Sequence, residues 1–255
     1  MLRIDLSGKI AVVTGASGQL GRVMARTLAR CGADVALHYF RHPDHAESVL
    51  EELKSLGVRG MTVRADVTQS ESVQAMHGAI VRTLGAPHIV VNNAVIQYQP
   101  WTSVLEQPIA DYESQFRSSV LQNICMAKAF VPAMIRNRYG RFIAISTECV
   151  MQHFPGQSAY VAGKRGMDGV LRVLAKEIGP HQITVNQVAP GWTITDSTRR
   201  EGTQRQEAYE SAVPLKRRGD DQEIANVVAF LASDLASYIT GAYIPVCGGN
   251  VMPAI

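Results

Sequence analysis

Short apolar and β-branched runs alternate with longer helical patterns along most of the chain. Strands are predicted at "IAVVTG", "DVALHY", "RGMTVRAD", "HIVVNNA", "RFIAIS", "ITVNQVAPG" and "YIPVC". Helices are predicted after the first strand and at about residues 43–56, 70–84, 111–137 and 158–179. Strands that are apolar on both faces are stable where helices cover both sides of a sheet. The pattern therefore predicts an α/β protein with a Rossmann fold, a doubly wound parallel sheet of seven strands with helices on both faces.

One stretch departs from this alternation. Residues 192–220 are polar and charged and look helical only in patches. No linker, internal repeat or shift in composition divides the chain, so we expect residues 1–255 to form a single domain with a mobile substrate loop at about 192–220. The basic cluster "KRR" at 216–218 is followed by Asp220 and Asp221, and we interpret it as a solvated turn.

Composition narrows the class of protein. The chain has 255 residues, 46% of them hydrophobic, and a net charge of +3, which is too mild to indicate a nucleic-acid partner. Its four cysteines lie far apart without a C-x-x-C pair, so neither a disulfide framework nor a metal site is indicated. No apolar run of about 18 residues and no signal-peptide pattern is visible. We therefore expect a cytoplasmic protein with no membrane partner.

The turn after the first strand carries a glycine motif. The stretch "TGASGQLG" places Gly15, Gly18 and Gly21 between a predicted strand and a predicted helix. In a parallel α/β sheet this turn offers backbone N–H groups and a positive helix end to phosphates. The motif therefore predicts a dinucleotide site, although tight turns of any kind also favour glycine.

The end of the second strand bears on which dinucleotide is bound. An acidic residue there would hold the adenosine ribose of NAD, and a basic one would accommodate the 2′-phosphate of NADP. The strand ends "HYFRH" without a carboxylate, and His38, Arg41 and Arg22 could supply positive or donor groups. We expect NADP(H) to be preferred, with NAD(H) possible, and a solvated surface position for Arg41 remains the alternative.

A tyrosine and a lysine four residues apart carry the candidate chemistry. Tyr160 and Lys164 would lie on one face of the predicted helix. A phenol with a pKa near 10 is a poor proton donor or acceptor at neutral pH, and a nearby ammonium brings it closer to the working range by stabilising the phenolate. The pair is therefore suited to acid–base chemistry.

Four motifs beyond the glycine turn make the chain recognisable. They are "NNA" at 92–94, "SAYVAGK" at 158–164, "VNQVAPGWTITD" at 185–196 and "PLKRRGDDQEIANVVAFLASDLASYITG" at 214–241. With them the whole chain resembles the short-chain dehydrogenase/reductase family, especially its single-domain branch, which includes 3-oxoacyl carrier-protein reductases. The resemblance implies an NAD(P)-dependent oxidoreductase that transfers a hydride between nicotinamide and a small-molecule carbonyl or secondary alcohol. The alternative is a related protein that binds a dinucleotide without catalysis, as a sensor or partner subunit.

The resemblance also implies roles for individual residues. Tyr160 would be the general acid or base, and Lys164 its electrostatic partner and a ligand of the nicotinamide ribose. Thr147 stands where the family has a serine that binds the substrate oxygen. Ser119 stands where the family has an asparagine that supplies a water-mediated proton relay, and Asn123 lies four residues further on the same helical face.

The implied cofactor contacts cover several turns of the chain. Asp66 would meet the adenine and Thr195 the carboxamide. The full set is Gly15, Ser17, Gln19, Leu20, Gly21, Arg41, Asp66, Val67, Asn92, Ala94, Tyr160, Lys164, Pro190, Gly191, Thr193 and Thr195.

Departures from the family pattern favour the non-catalytic alternative. Gln19 replaces the middle glycine of the turn, Val95 replaces a glycine after "NNA", and Ser119 replaces the asparagine. A fourth departure is Glu148, beside Thr147, where small residues are common. It either lines the substrate pocket or turns into solvent.

Relatives commonly assemble as dimers or tetramers through the two long helices. In "VLQNICMAKAFVPAMI" there are more apolar residues than one buried face requires, so we expect a homo-oligomer, with a homotetramer favoured. In the 192–220 loop, Arg199, Arg200 and Arg205 could attract an anionic group, although neighbouring glutamates offset their charge.

Overall fold

The computed structural model describes residues 3–96, 101–202 and 205–253. Seven parallel strands form one sheet in the order β3-β2-β1-β4-β5-β6-β9, which confirms the predicted sheet. Two further strands, β7 and β8, form a separate short pair. The strands are β1 Ile10–Val13, β2 Asp34–Tyr39, β3 Gly60–Arg64, β4 Ile89–Asn92, β5 Gly140–Ile145, β6 Ile183–Pro190, β7 Thr193–Ile194, β8 Gly219–Asp220 and β9 Tyr243–Val246.

Helices cover both faces of the seven-stranded sheet, as predicted, and divide the core into two layers. One layer packs α1, α2 and α10 on the sheet, and the other packs α3, α5 and α7. The helices are α1 Gln19–Arg30, α2 Pro43–Ser55, α3 Ser70–Thr83, α4 Ile109–Gln115, α5 Gln122–Asn137, α6 Cys149–Gln152, α7 Ser158–Ile178, α8 Asp196–Arg200, α9 Glu207–Ala212 and α10 Asp221–Ala232.

The strand order places the candidate site at one edge of the sheet. Because all seven strands are parallel, their carboxyl ends meet at one edge, and the order reverses between β1 and β4. Ligands bind in the crevice that such a reversal opens. The turns after β1, β4, β5 and β6, which carry the motifs, all lie at this edge.

A π-helical turn interrupts the long helix that the sequence predicts over 111–137. The segment Phe116–Leu121 joins α4 to α5 and packs on α7. The packing is close because α7 has glycines at the contact: a β-carbon on Gly163 would lie 2.9 Å from the Gln115 oxygen, and one on Gly166 would lie 2.9 Å from Val120. Single π turns inside α-helices are frequent at functional sites.

Residues 192–220 contain more regular structure than the sequence pattern indicates. The two short strands β7 and β8 pair in parallel and bracket α8 and α9. The interpretation of the "KRR" cluster as a solvated turn is wrong for Arg218, which is 4% exposed. Its guanidinium lies 5.8 Å from the Trp192 ring and 3.4 Å from the carboxylate of Glu210, so α9 and the start of the loop cover it.

Two further features bear on the class of protein. Taken together, α4, the π turn and α5 span Ile109–Asn137, which is the one helical stretch of the described residues that is long and apolar enough to cross a membrane, with a mean hydropathy of 1.2 in its most apolar window. In the fold 61% of that window is buried, and a core helix passes the same test of length and composition.

Within the described ranges, no cluster of three His, Cys, Asp or Glu side chains is placed to hold a metal ion.

Candidate active site

The glycine turn between β1 and α1 closes on itself so tightly that side chains are excluded. Gly15 has a φ of +64°, a conformation that glycine adopts without strain. A β-carbon on Gly21 would lie 2.1 Å from the Gly15 carbonyl oxygen, so Gly21 lets the first turn of α1 approach this loop. Gly18 is the N-cap of α1, and the unpaired N–H groups of the first helical turn follow it. The turn therefore presents backbone N–H groups of the kind that bind a pyrophosphate.

Hydrogen bonds join the turn after β4 to the glycine turn. The hydroxyl oxygen of Thr14 accepts the N–H groups of Asn93 at 2.9 Å and Ala94 at 3.0 Å. A β-carbon on Gly15 would lie 3.1 Å from the Ala94 α-carbon, so the two turns are in contact. Asn92, at the end of β4, is buried, and Val95 is 40% exposed. The structure therefore brings Ala94 into contact with Gly15, and Asn92 ends the strand that leads to this contact.

His38 does not offer a free donor to a phosphate, contrary to the expectation from the sequence. The side chain is buried, and its Nδ1 accepts the Gly15 N–H at 3.0 Å. Its Nε2 lies 3.0 Å from the Ala65 carbonyl oxygen and donates to it in the same tautomer. Burial lowers the pKa of His38, which favours the neutral ring. His38 therefore supports the glycine turn by linking the Gly15 N–H to the Ala65 carbonyl oxygen.

Arg41, Asp66 and Val67 lie beyond the ends of β2 and β3. Arg41 is exposed, and its guanidinium lies 5.6 Å from the Phe40 ring. One carboxylate oxygen of Asp66 accepts both the N–H and the hydroxyl of Thr68, at 2.9 and 2.7 Å, so this residue also shapes its own loop. The Val67 side chain is buried in the core, which leaves its backbone groups for a ligand.

Tyr160 and Lys164 lie on one face of α7, as their spacing predicted. The ammonium of Lys164 lies 5.9 Å from the centre of the Tyr160 ring. Lys164 is buried and donates a hydrogen bond to the Ile145 carbonyl oxygen at 2.7 Å. Ile145 ends β5, two residues before Thr147, so this bond ties the helix of Tyr160 to the strand end that carries Thr147.

Burial lowers the pKa of Lys164 from its ordinary 10.5 to about 8. The Thr147 hydroxyl is also buried and accepts the N–H of Cys149 at 3.2 Å, which leaves its own proton as a donor. Trp101 flanks the pair, with its ring centre 6.0 Å from that of Tyr160. The phenol and the ammonium thus lie beside an aromatic ring, and the buried Thr147 hydroxyl follows the strand end that Lys164 contacts.

The π-helical turn beside α7 supplies buried oxygens. Asn123 donates to the Ser119 carbonyl oxygen at 2.8 Å and accepts from the Asn92 amide at 2.8 Å, so its side-chain amide is engaged by neighbours. Within the described part of the chain, Ser119 Oγ, Asn92 Oδ1 and Gln122 Oε1 are buried and have no hydrogen-bond partner. Buried polar atoms of this kind usually bind water or a ligand.

Glu148 does not turn into solvent, so that reading of the sequence is wrong. The residue is 3% exposed, and its two carboxylate oxygens accept from Tyr209 at 2.8 Å and Asn250 at 3.0 Å. Burial raises the pKa of the carboxyl, against the opposing effect of these hydrogen bonds. Both oxygens are engaged by the protein's own side chains.

Residues 190–198 run from β6 toward the glycine turn. Thr193 donates to the Gly191 oxygen at 2.9 Å, and Thr195 Oγ1 lies 3.1 Å from Ser197 Oγ. The Gln19 amide oxygen accepts from the backbone of Ser197 at 3.3 Å, which joins the start of α1 to α8.

The remaining predicted contact residues lie close to this junction. Ser17 and Leu20 are half-buried in the glycine turn and the first turn of α1, and Pro190 ends β6. The amide oxygen of Gln19 also accepts from Arg22 at 2.9 Å. Gln19 therefore contacts other side chains and backbone around the turn.

Comparison with known proteins settles the family. A family model described as enoyl-(acyl carrier protein) reductase matches residues 15–250. The chain is 40% identical to the 3-oxoacyl-(acyl-carrier-protein) reductase of Pseudomonas aeruginosa, over 98% of this chain and 100% of that one. The Escherichia coli protein of the same name is 36% identical, over 98% and 100%. The chain belongs to the short-chain dehydrogenase/reductase family.

Solved structures agree with that assignment to the family. A structure titled as the promiscuous reductase LugOII, which catalyses keto-reduction at C1 during lugdunomycin biosynthesis, superposes with a TM-score of 0.88 at 29% identity and covers 97% of this chain and 99% of its own. A 7α-hydroxysteroid dehydrogenase complexed with NADH and 7-oxo glycochenodeoxycholic acid gives 0.88 at 28% identity, covering 98% and 97%.

Membership of the short-chain dehydrogenase/reductase family makes the chain an NAD(P)-dependent oxidoreductase, as the motifs predicted. The relatives do not favour the non-catalytic alternative. Two features of the site were missed by motif reasoning. The support of Gly15 by His38 and the pairing of Glu148 with Tyr209 join residues 23 and 61 positions apart, and no local pattern marks such contacts.

Proposed function

We propose that this protein is an NADPH-dependent reductase of 3-oxoacyl thioesters. The observation that carries the proposal is the hydrogen bond from the buried Lys164 to the Ile145 oxygen, which ties the helix of Tyr160 to the strand end that leads to Thr147. Support comes from the curated relatives, which are named 3-oxoacyl-(acyl-carrier-protein) reductases and align over nearly their whole length.

The residues of the glycine turn fit a dinucleotide, because glycines let this loop pack directly against the first turn of α1, whose N–H groups can bind phosphate. We assign the pyrophosphate to the glycine turn, the adenine to Asp66 and Val67, and the ribose of the nicotinamide to Tyr160 and Lys164. When bound, the nicotinamide supplies the hydride. The residues that hold the cofactor in this proposal are Gly15, Ser17, Gln19, Leu20, Gly21, Arg41, Asp66, Val67, Asn92, Ala94, Tyr160, Lys164, Pro190, Gly191, Thr193 and Thr195.

Residues of the protein supply the proton that the substrate oxygen receives. Tyr160 donates its phenolic proton to the substrate oxygen, and the Thr147 hydroxyl donates a hydrogen bond to the same oxygen. The Lys164 ammonium stabilises the phenolate that remains, because an opposite charge nearby favours the charged form. With a pKa of about 8, Lys164 is mostly protonated at neutral pH.

Ser119 is proposed to restore the proton through a bound water. Its hydroxyl is buried in the π-helical turn, which packs on α7 at Gly166, two residues after Lys164. Asn123 contributes by fixing this turn through its bond to the Ser119 carbonyl oxygen. Ser119→Ala is expected to lower kcat, and full turnover in both Ser119→Ala and Asn123→Ala would remove the relay from the mechanism.

The preference for NADPH rests on Arg41. Its exposed guanidinium follows β2, where an acidic residue would select NAD, and it can pair with a 2′-phosphate. His38 takes no part in this selection because Gly15 and Ala65 engage both of its ring nitrogens.

We propose that residues 1–255 form one domain in which residues 192–220 close over the substrate as a lid. Of Arg199, Arg200 and Arg205, two are already paired in the structure: Arg199 with Asp196, Asp220 and Asp221, and Arg205 with Glu210. Arg200 is exposed, so we propose that it is the main residue of these three that attracts an anionic carrier.

A homo-oligomer, favoured as a tetramer, fits an apolar groove between the long helices. The groove has a volume of about 560 Å³ and is lined by Phe116, Leu121 and Ala162 among others, with Phe116 50% exposed. We propose a cytoplasmic enzyme without a nucleic-acid or membrane partner, in line with its four free cysteines. A monomeric mass in solution at micromolar concentration would remove the oligomer from the proposal.

The proposed activity is tested with acetoacetyl-CoA and NADPH, with crotonyl-CoA as a parallel substrate because the matching family model is described as an enoyl reductase. The proposal predicts consumption of NADPH with the 3-oxo thioester and none with the enoyl thioester. Reduction of crotonyl-CoA alone would overturn the assignment of the carbonyl as the reacting group.

A further inference from the structure

Glu148 is a buried carboxylate whose surroundings are not explained by the chemistry at Tyr160. It is 3% exposed and directly follows Thr147 in the turn after β5. Its backbone N–H donates to the Pro190 oxygen at 3.0 Å, which ties this turn to the end of β6. A buried carboxylate is costly unless it is paired or hydrogen-bonded, so its partners identify what the residue holds in place.

The partners of Glu148 come from distant segments. Oε1 accepts the hydroxyl of Tyr209, in α9 of the lid, at 2.8 Å. Oε2 accepts the side-chain amide of Asn250, near the end of the chain, at 3.0 Å. One carboxylate therefore joins the turn that carries Thr147 to the lid and to the segment after β9.

Tyr209 extends this connection to the first residue of the lid. Its hydroxyl oxygen accepts the N–H of Trp192 at 2.8 Å, and the two rings pack edge to face with centres 5.5 Å apart. The hydroxyl occupies space that a side chain at 191 would need, because a β-carbon on Gly191 would lie 2.6 Å from it. A chain of hydrogen bonds thus runs from Trp192 through Tyr209 to Glu148.

We propose that Glu148 is a positioning residue that holds α9 closed over the substrate site through Tyr209 and, by the same contact, fixes the turn that carries Thr147. This inference rests on the proposed function, since it assigns a closing role to the lid. Both carboxylate oxygens are engaged by Tyr209 and Asn250, so the residue acts through these partners rather than on the substrate. Opening α9 removes the Tyr209 hydroxyl, the nearest donor to the buried carboxyl, and this cost favours the closed lid.

The cleanest variant is Tyr209→Phe, which removes one oxygen and keeps the ring that packs on Trp192. Hydrogen bonds to charged groups are strong enough that its loss is expected to accelerate amide exchange in residues 207–213 about tenfold. The same variant is expected to raise KM for acetoacetyl-CoA about tenfold with a smaller change in kcat. Tyr238→Phe, at a fully exposed tyrosine outside the lid, is the matched control and should change neither.

Glu148→Gln and Glu148→Ala complete the test. Glutamine keeps an oxygen that can accept the Tyr209 hydroxyl, so it should retain part of the lid protection that alanine loses. Unchanged exchange in residues 207–213 in Tyr209→Phe, or equal exchange in the glutamine and alanine variants, would overturn the proposal. If the alanine variant does not fold, Tyr209→Phe still decides the outcome.

Hydrogen exchange also separates this inference from the proposed activity. If wild-type protein reduces no 3-oxoacyl thioester, the proposed function fails while faster exchange in Tyr209→Phe still supports the contact. If the protein is active and exchange and KM are both unchanged in that variant, the positioning role alone is refuted.

Discussion

The ammonium of Lys164 lies 2.7 Å from the Ile145 carbonyl oxygen, within the core of the protein. This bond satisfies one of its three N–H donors, and the other two remain for a ribose and a water in the proposed reaction. The contact also fixes the distance between α7 and β5, and with it the relation of Tyr160 to Thr147. The position of this one side chain therefore has consequences for stability as well as for catalysis.

Lys164 gives the protein without cofactor a specific dependence of stability on pH. Its pKa is about 8 in the folded protein and near 10.5 when unfolded, so between these values the unfolded chain binds more protons. The free energy of unfolding therefore rises with pH across this window, by about 3 kcal/mol from this group. Urea unfolding at pH 8 and pH 10.5 should show this rise relative to Lys164→Met, and an equal change in both proteins would contradict the assignment.

Protonation of His38, which supports the glycine turn, should lower the stability of the protein at acidic pH. Because burial lowers its pKa below the ordinary 6.5, the unfolded chain binds the proton first, and stability falls as pH falls below about 6.5. His38→Leu removes this titration along with the bonds to Gly15 and Ala65, and we expect a loss of about 1–3 kcal/mol at pH 7.5.

The acid dependence of unfolding should be shallower in His38→Leu than in the wild type. His45→Ala, at an exposed position, is the control for removal of a histidine ring elsewhere in the chain. Parallel slopes for wild type and His38→Leu would show that the ring is not the group responsible.

Gly21→Ala should destroy the cofactor site by steric means. The added β-carbon would lie 2.1 Å from the Gly15 oxygen, so the glycine turn and α1 must separate. We expect a loss of about 2 kcal/mol or more in stability and no measurable NADPH binding by fluorescence titration.

Gly169→Ala is the matched control for that substitution. Gly169 lies within α7 with open space around its α-carbon, so alanine should raise stability by about 0.5–1 kcal/mol and leave NADPH binding unchanged. Normal NADPH affinity in Gly21→Ala would contradict the placement of the pyrophosphate.

Arg41 should decide which dinucleotide binds. Arg41→Glu is expected to weaken NADPH binding about tenfold or more and to improve NADH, because it replaces a partner of the 2′-phosphate with a repelling charge. Paired titrations with NADPH and NADH measure both effects. Equal losses for the two cofactors would mean that Arg41 supports the loop rather than recognising the phosphate.

The sheet could be predicted from the sequence because its strands are short, apolar on both faces and separated by helices. Within the described chain, α10 is the long helix that this alternation does not reveal, although a local signal exists. Asp220 and Glu223 form a capping box at its start, and an apolar run follows. The π turn at Phe116–Leu121 has no such signal in its own residues, and it packs on α7 where Gly166 lies close to Val120.

The positions of site residues could be predicted where these residues belong to a local motif. They could not be predicted where contacts between distant parts of the chain determine how a side chain is placed. Tyr160 and Lys164 are four residues apart on one helix, and their common face follows from that spacing. The burial of Arg218 within a charged run and of Glu148 beside Thr147 depends on Trp192, Glu210 and Tyr209. The local composition predicts that these charged side chains are exposed to solvent. Tertiary packing buries them instead.

The central claim is that Tyr160 delivers the proton during reduction of a carbonyl. The most direct measurement compares wild type and Tyr160→Phe for NADPH consumption with acetoacetyl-CoA, while NADPH affinity is measured separately by fluorescence. Removing a general acid typically costs about 100-fold or more. We predict a loss of that size in kcat with NADPH affinity largely retained, and turnover by Tyr160→Phe near the wild-type rate would contradict the account.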